Sequence, residues 1–462
     1  MTTHGKLSSV LLRSASRRHV VASAAGLAAL AAGNTLGQST TPQATPAEAT
    51  PVTDGGQHLF VADAAAELIT IYSVPGGEKT GQIEGIKFGT HAGTFLMPDG
   101  RLLFADANAQ EVVVITIDDA GAPVIEATIP ATLGESVAWI SADSSLTWIT
   151  FGSLMGHGEE GEEEHLNIIN TTDYTNLDLA FAMERPEEIH AWLLGDPLYL
   201  HVAVGGRIDS YDFAAVQAGE MDILTSIEVD TGSHGGASDG VNNRIFYVTG
   251  PGYGFDVLEG NGPAEYLTQI PWDLDGESGG RNARARVTAD GQHIIGVMTL
   301  GLEDTSVWAE TMISNHVVNM DTLEAKRIPI DTGAFGYRWG VGQKLAMWVG
   351  YNAAGNHAYL IDTDASSATF GESLGTVEVA MPSNPWIVGE AWADGQEGYV
   401  PSTMTDDDMY GFVTISGDGL IQVIDLQARE VIGEITLDSP MAGGGYTTIV
   451  QSGVQRTDLW GR

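Results

Sequence analysis

Histidine and glutamate are concentrated in one short segment of the chain, residues 156–165, which reads GHGEEGEEEH. His157 and His165 stand near its two ends, and five glutamates, Glu163 among them, lie between. A neutral imidazole is a favourable zinc ligand, and carboxylates complete the coordination shell or orient the imidazoles. The composition therefore predicts a zinc site in this segment. The alternative is an acidic hairpin that is only solvated.

Three more histidines precede stretches that have the pattern of β-strands. His91 comes before FLMPDG, His190 before WLLGD and His234 before ASDG. Each histidine alone could simply hydrogen-bond a neighbouring backbone group. Because the three occupy equivalent places in different repeats, we interpret them as further zinc ligands. No cysteine can take part, since the chain has none.

The strands that would position these residues repeat along the chain from about residue 58. Each copy has a short apolar strand, a few loop residues and a second strand that ends in Asp or Asn, as in residues 102–118 and 411–426. A four-stranded unit repeated every 45 to 50 residues or so is typical of a propeller blade. The sequence thus predicts an all-β fold, a single β-propeller with seven or eight four-stranded blades over residues 58–462. Two stacked β-sandwiches are the alternative.

The turn residues predict which ends of the strands lie on the same face. Asp-Gly pairs, such as Asp99 and Gly100, follow the first strand of several copies and suit tight hairpins. In a blade whose strands run from the axis to the rim, the connection into the first strand and the loop between the second and third strands then lie on the opposite face. We expect His91, His190 and His234 on that face, together with residues 156–165.

The N-terminal residues read as an export signal. Arg17 and Arg18 precede an apolar run over residues 20–32, which predicts a twin-arginine-type signal peptide over residues 1–37. A general secretory signal is the alternative. Residues 38–57 are rich in Thr and Pro and read as a linker. We expect a periplasmic or extracellular protein with no stable membrane span, since the apolar run is short for a bilayer.

Charge and composition exclude several classes of function. The chain has 20 basic and 61 acidic side chains, a formal net charge of −41, which repels nucleic acid and anionic lipid. The absence of cysteine excludes disulfides, c-type haem attachment and iron–sulfur clusters. No Ser-His-Asp arrangement is indicated, and no phosphate loop or dinucleotide motif stands before a helix. We therefore expect no enzymatic activity, although propeller enzymes can gather catalytic residues from separate blades. We also expect a monomer.

Over roughly residues 58 to 452 the chain resembles the periplasmic zinc metallochaperones of the AztD type. The resemblance rests on LFVAD (59–63), GHGEEGEEEH (156–165), ERPEEIHAW (184–192), EVDTGSHGGA (228–237) and GEITLDSPMAGGGYTTIV (433–450). It implies an exported propeller that binds zinc and passes it to the solute-binding subunit of a zinc importer. It also implies that His157 and His165 belong to an acidic zinc-binding loop and that His234 belongs to a strand-opening segment. The paired cysteines of that family are absent here.

Two other functions remain open from the sequence. Secreted propellers of the YVTN type share the blade pattern without any metal, which would make this chain a binding or interaction protein. A hydrolase or lactonase that uses a divalent ion in the channel is the third hypothesis.

Overall fold

The structure is a computed structural model, and it describes residues 56–89, 93–134, 136–154, 163–182, 189–229, 236–249, 254–277, 281–282, 285–299, 310–335, 339–352, 355–380, 402–415, 418–441 and 445–453. These residues belong to one compact unit, Val52–Arg462. None of the helices among them is long and apolar enough to span a membrane.

The strands form eight antiparallel sheets, and each sheet is one blade. Blade 1 contains β1 (His58–Asp63), β2 (Leu68–Ser73) and β3 (Lys79–Glu84). Blade 2 contains β4 (Phe95–Leu96), β5 (Leu102–Asp106), β6 (Glu111–Ile117) and β7 (Pro123–Pro130). Blade 3 contains β8 (Ser136–Ala142), β9 (Trp148–Leu154), β10 (Glu163–Asn170) and β11 (Asn176–Ala182). Blade 4 contains β12 (His190–Leu194), β13 (Tyr199–Val204), β14 (Arg207–Asp212) and β15 (Thr225–Glu228), with the short helix α1 (Phe213–Gln217) before β15.

The second half of the chain repeats this order, with a divided innermost strand in two blades. Blade 5 contains β16 (Gly236–Asp239), β17 (Arg244–Val248), β18 (Gly254–Glu259) and β19 (Glu265–Pro271). Blade 6 contains β20 (Arg281–Asn282), β21 (Arg286–Val287), β22 (His293–Thr299), β23 (Met312–Asn319) and β24 (Ala325–Thr332). Blade 7 contains β25 (Ala334–Phe335), β26 (Gly340–Val341), β27 (Leu345–Asn352), β28 (Gly355–Asp362) and β29 (Ser373–Val379). Blade 8 contains β30 (Ser402–Met404), β31 (Tyr410–Ile415), β32 (Leu420–Asp425) and β33 (Glu430–Thr436), and β34 (Gly445–Val450) follows it.

The ring closes by pairing the last strand with the first. β34 lies antiparallel to β1, with Phe60 opposite Thr448, and so becomes the innermost strand of blade 1. The predicted all-β propeller is confirmed, and the described strands form eight blades. This pairing unites strands from both ends of the propeller in one blade, which closes the ring.

Burial follows the position of a strand within its blade. The second and third strands are covered on both sides by neighbouring blades, so β5 (LLFAD) is buried at every position. An outer strand such as β7 is mostly exposed. The core therefore lies between blades, and Trp139, Trp192 and Trp348 are among its largest fully buried side chains. Large aromatic side chains of this kind supply much of the apolar area buried in such a core.

The Asp or Asn that ends many strands has a local reason. The side chains of Asn170, Asn319 and Asp425 end β10, β23 and β32, and each accepts hydrogen bonds from backbone N–H groups two and three residues later, at 2.8 to 3.4 Å. Such side-chain caps stabilise the turn into the outer strand. The repeat seen in the sequence is thus a repeat of capped hairpins.

Candidate functional site

The third strand of blade 3, β10, carries the described part of the predicted zinc segment. The turn at residues 143–147 joins β8 to β9, so β9 ends and β10 begins at the opposite end of the sheet. Because the first and third strands of a blade are parallel to each other, β10 and the innermost strand β12 of blade 4 both begin at that end. We call this the strand-opening face, defined by Glu163 at the start of β10 and His190 at the start of β12.

Of the six residues predicted to bind zinc, His91, His157 and His234 lie outside the described residues, and their roles stay predictions. Glu163, His165 and His190 are described. Within the described ranges no group of three His, Asp or Glu side chains is arranged to hold a metal ion.

His165 is the third residue of β10, and its ring is held by a carboxylate. Nδ1 of His165 lies 2.7 Å from Oδ1 of Asp178 in the neighbouring strand β11. The two side chains are 20% and 37% exposed. An ionised carboxylate can only accept a hydrogen bond, so in the neutral ring this contact assigns the proton to Nδ1 and the lone pair to Nε2. Nε2 has no hydrogen-bond partner among the described residues.

The carboxylate of Asp178 is itself held from the other side. Its Oδ2 accepts a hydrogen bond of 2.5 Å from Oγ1 of Thr132, which lies in the connection from blade 2 to blade 3. The backbone of Thr132 exchanges two hydrogen bonds with the side chain of Asn167, at 3.2 and 2.8 Å. Asn167 is fully buried, and its Oδ1 accepts a further bond from Asn176. The His165 ring is therefore anchored to a buried network at the junction of two blades.

The glutamates at the start of β10 have different environments. Glu163 is exposed, whereas Glu164 is 2% exposed and accepts a hydrogen bond of 2.7 Å from Oγ of Ser153. Successive side chains of a strand point to opposite faces, so Glu163 and His165 share one face of the sheet. These are the two predicted ligands that the described structure places on the same face.

His190 lies in a different environment. It is 1% exposed, and its ring centroid lies 4.6 Å from Trp139 in an edge-on contact and 6.1 Å from that of Tyr247. Trp139 Nε1 donates a hydrogen bond of 2.7 Å to the Ala191 carbonyl oxygen, which fixes the indole against this part of β12. His190 is thus enclosed by aromatic rings, whereas His165 is partly exposed, and a ligand role for His190 stays a prediction.

Two further histidines are fully buried and belong to the packing between blades. His201 Nδ1 lies 2.9 Å from Ser210 Oγ, and its Nε2 lies 3.0 Å from the Gly260 carbonyl oxygen. Burial lowers the pKa of His201 to about 4, against the smaller opposing effect of the Gly260 carbonyl. Burial likewise lowers the pKa of His316 to about 4. Both rings are neutral at neutral pH, and neither is open to a metal ion from solvent.

Asp178 and Thr132 were not anticipated from the sequence. Asp178 stands within NLDLAFA, an ordinary outer strand with alternating polar residues. Its relation to His165 arises from the register of β10 and β11, in which Asn167 lies opposite Asp178. Thr132 belongs to a different blade, so no linear pattern connects it with this site.

Comparison with protein-family models and with curated proteins finds no match. Among solved structures, AztD of Citrobacter koseri matches with a TM-score of 0.61 and 15% identity, over 87% of this chain and 100% of that one. This chain is similar in fold to AztD. A structure of apo AztD from the same organism matches with a TM-score of 0.59 and 14% identity, over 86% of this chain and 99% of that one. The resemblance to AztD drawn from the sequence is thus confirmed for the fold.

A second type of protein shares the fold. The dihydro-heme d1 dehydrogenase NirN, in complex with DHE, matches with a TM-score of 0.55 and 14% identity, over 90% of this chain and 78% of that one. At such identities the likeness to AztD and to NirN concerns the propeller alone. The function has to be argued from the site.

Proposed function

We propose that this protein is an exported zinc-binding β-propeller that acts as a metallochaperone or metal buffer for a zinc uptake system. The observation that supports this best is His165. Its ring stands at the end of the glutamate-rich segment, partly exposed, with Nδ1 on a carboxylate and Nε2 without a partner among the described residues. Zinc-binding histidines typically donate their other ring N–H to a carboxylate, a backbone carbonyl or a water molecule.

Capture of zinc would begin at residues 156–165. His157, Glu163 and His165 supply two imidazoles and a carboxylate, a ligand set that suits zinc. The net charge of −41 raises the concentration of cations near the surface, and the glutamates concentrate this effect beside His165.

The same ligand set suits release. Thiolates are the softer ligands that hold zinc most firmly, and this chain has none. Imidazoles and carboxylates that are open to solvent can exchange a bound ion with a partner that offers better ligands. The partner in this proposal is the solute-binding subunit of a zinc importer, met in the periplasm by a monomer exported through a twin-arginine signal.

The strand-opening histidines are the second part of the proposal. His91 and His234 would add ligands from two other blades on the same face. His190 is the least accessible of the three, because Trp139 covers its ring at 4.6 Å. Zinc could reach His190 only if this aromatic contact opened.

The proposal is tested by measuring the metal content and zinc affinity of the mature protein, purified without chelator or a histidine tag, by competition with a chromophoric chelator. We expect bound zinc and a loss of affinity of at least about tenfold in His165→Ala, because one ligand of a small set is removed. His357→Ala is the matched control, since His357 is likewise the third residue of an eight-residue third strand, β28.

Other outcomes separate the alternatives. Equal zinc affinity in wild type and His165→Ala would contradict the site. A protein that binds no zinc at micromolar free metal would be a propeller with a different ligand. Calcium or magnesium in place of zinc would favour the hydrolase hypothesis.

A further inference from the structure

We propose that Asp178 is a positioning residue for zinc capture, which fixes the tautomer and direction of the His165 ring, and that Thr132 holds Asp178 in place from the neighbouring blade. This inference rests on the proposed function. Asp178 would not touch the metal. It would act through His165, so that Nε2 is deprotonated and aimed away from the blade before zinc arrives.

Both carboxylate oxygens of Asp178 are engaged, and from opposite sides. Oδ1 lies 2.7 Å from His165 Nδ1, and Oδ2 accepts from Thr132 Oγ1 at 2.5 Å. A carboxylate held at two points cannot turn about its own bond without losing one of them. The ring that it binds is therefore restricted in direction as well as in tautomer.

The hydrogen bonds that support Asp178 reach a buried layer. Thr132 is held through its backbone by Asn167, which is fully buried within β10. Asn176 donates both to Asn167 Oδ1 at 2.9 Å and to the Pro130 carbonyl oxygen at 3.0 Å. A half-exposed hydrogen bond that is connected to a buried network keeps its geometry better than an isolated surface pair does.

The equivalent histidine of blade 7, His357, has different neighbours. His357 lies opposite Glu378 in the register of β28 and β29, as His165 lies opposite Ala180 in blade 3. Two residues before those partners stand Thr376 in blade 7 and Asp178 in blade 3. The threonine side chain is shorter and uncharged, and no hydrogen bond links it to His357 among the described contacts. The carboxylate thus accompanies the histidine that follows the glutamate-rich segment.

The test uses Asp178→Asn in the full mature protein. The amide keeps the size of the carboxylate but can donate to Nδ1 of His165, which places the ring proton on Nε2. We expect zinc affinity to fall by about 10- to 100-fold, the usual effect of losing such a support. Asp119→Asn is the matched control, because it removes the same charge from an exposed turn of blade 2.

A second readout does not depend on zinc. Nitrogen-15 NMR of the metal-free protein reports which nitrogen of His165 carries the proton. We expect the Nδ1–H form in wild type and a shift toward Nε2–H in Asp178→Asn. Thr132→Val should produce a smaller shift and a smaller loss of affinity, and Thr132→Ser, which restores the hydroxyl, should recover both.

The two readouts distinguish failure of this inference from failure of the proposed function. Unchanged zinc affinity in Asp178→Asn, combined with lost affinity in His165→Ala, would overturn the positioning role and leave the function standing. An unchanged tautomer in Asp178→Asn would also overturn it. If His165→Ala binds zinc as wild type does, the function fails, and the tautomer measurement still decides whether Asp178 orients the ring.

Discussion

Replacing His316 by phenylalanine should remove one source of acid sensitivity from the propeller. His316 lies in β23, is fully buried, and packs its ring 5.3 Å from that of Trp272. Burial lowers its pKa to about 4, the Arg327 guanidinium acts in the same direction, and the Pro271 carbonyl and the Asp275 carboxylate oppose it. The ring is therefore neutral in the folded protein at neutral pH.

The sign and size of the effect follow from the difference between folded and unfolded states. In the unfolded chain histidine titrates near 6.5. Because the folded-state pKa is lower, the contribution of His316 to stability is fully present above about pH 6.5 and is lost as the pH falls toward 4. At pH 5 the loss is about 2 kcal/mol relative to neutral pH. Phenylalanine fills a similar volume and cannot titrate.

Urea unfolding of wild type and His316→Phe, at neutral pH and at about pH 5, measures the difference. We expect the free energy of unfolding to fall less in the variant, by about 2 kcal/mol, when the pH is lowered. Phe255→Leu is the control: Phe255 lies 5.7 Å from His316, and its loss should weaken packing equally at both pH values. If His316→Phe loses as much stability on acidification as wild type, the buried ring is not neutral and the reasoning is refuted.

Three other changes test separate parts of the structure. Asp408→Asn should remove a pH dependence of the opposite sign. Burial raises the pKa of Asp408 to about 6, so wild type should lose stability as the pH rises through that value. Unfolding curves of wild type and the variant across this range would show the same pH dependence if the carboxylate titrates normally. Gly152→Ala should lower the unfolding temperature, since its new Cβ would lie 2.2 Å from the Ile189 carbonyl oxygen. Gly433→Ala is the control and should be neutral, since its new Cβ would meet nothing within 4 Å. Equal unfolding temperatures of the two variants would refute the packing argument. Replacement of Arg17 and Arg18 by lysine should retain the precursor in the cytoplasm, as cell fractionation would show, and normal export would contradict the twin-arginine prediction.

The fold was predictable because its determinants are local. Alternation of apolar and polar residues, and strand-ending Asp or Asn side chains such as Asn319, recur in each blade and have the same cause in each. The number of blades depended on one long-range pairing, that of β1 with β34, which no local pattern contains. This is why the sequence left seven and eight open.

The candidate site was only partly predictable, because its contacts cross strands and blades. Composition pointed to the histidine of β10 as a candidate ligand, but the carboxylate that holds it depends on the strand register, and the contact of Thr132 depends on how two blades meet. His190 was placed correctly at the start of an innermost strand. Its burial could not be predicted, because it results from Trp139 of another blade bonding to the Ala191 carbonyl oxygen.

A second carboxylate–histidine pair shows why the free nitrogen matters more than the pair itself. His293 Nδ1 lies 2.8 Å from Oδ2 of Asp290, much as His165 lies beside its aspartate. The Nε2 of His293, however, lies 3.0 Å from Nδ2 of Asn319, and the ring packs edge-on against Phe370 at 4.8 Å. Both ring nitrogens of His293 therefore have hydrogen-bond partners within the protein, and Asp290 holds a ring that has no nitrogen left for a ligand. In blade 3 the same pairing leaves Nε2 of His165 without a hydrogen-bond partner among the described residues, and this difference supports the proposed binding role of His165.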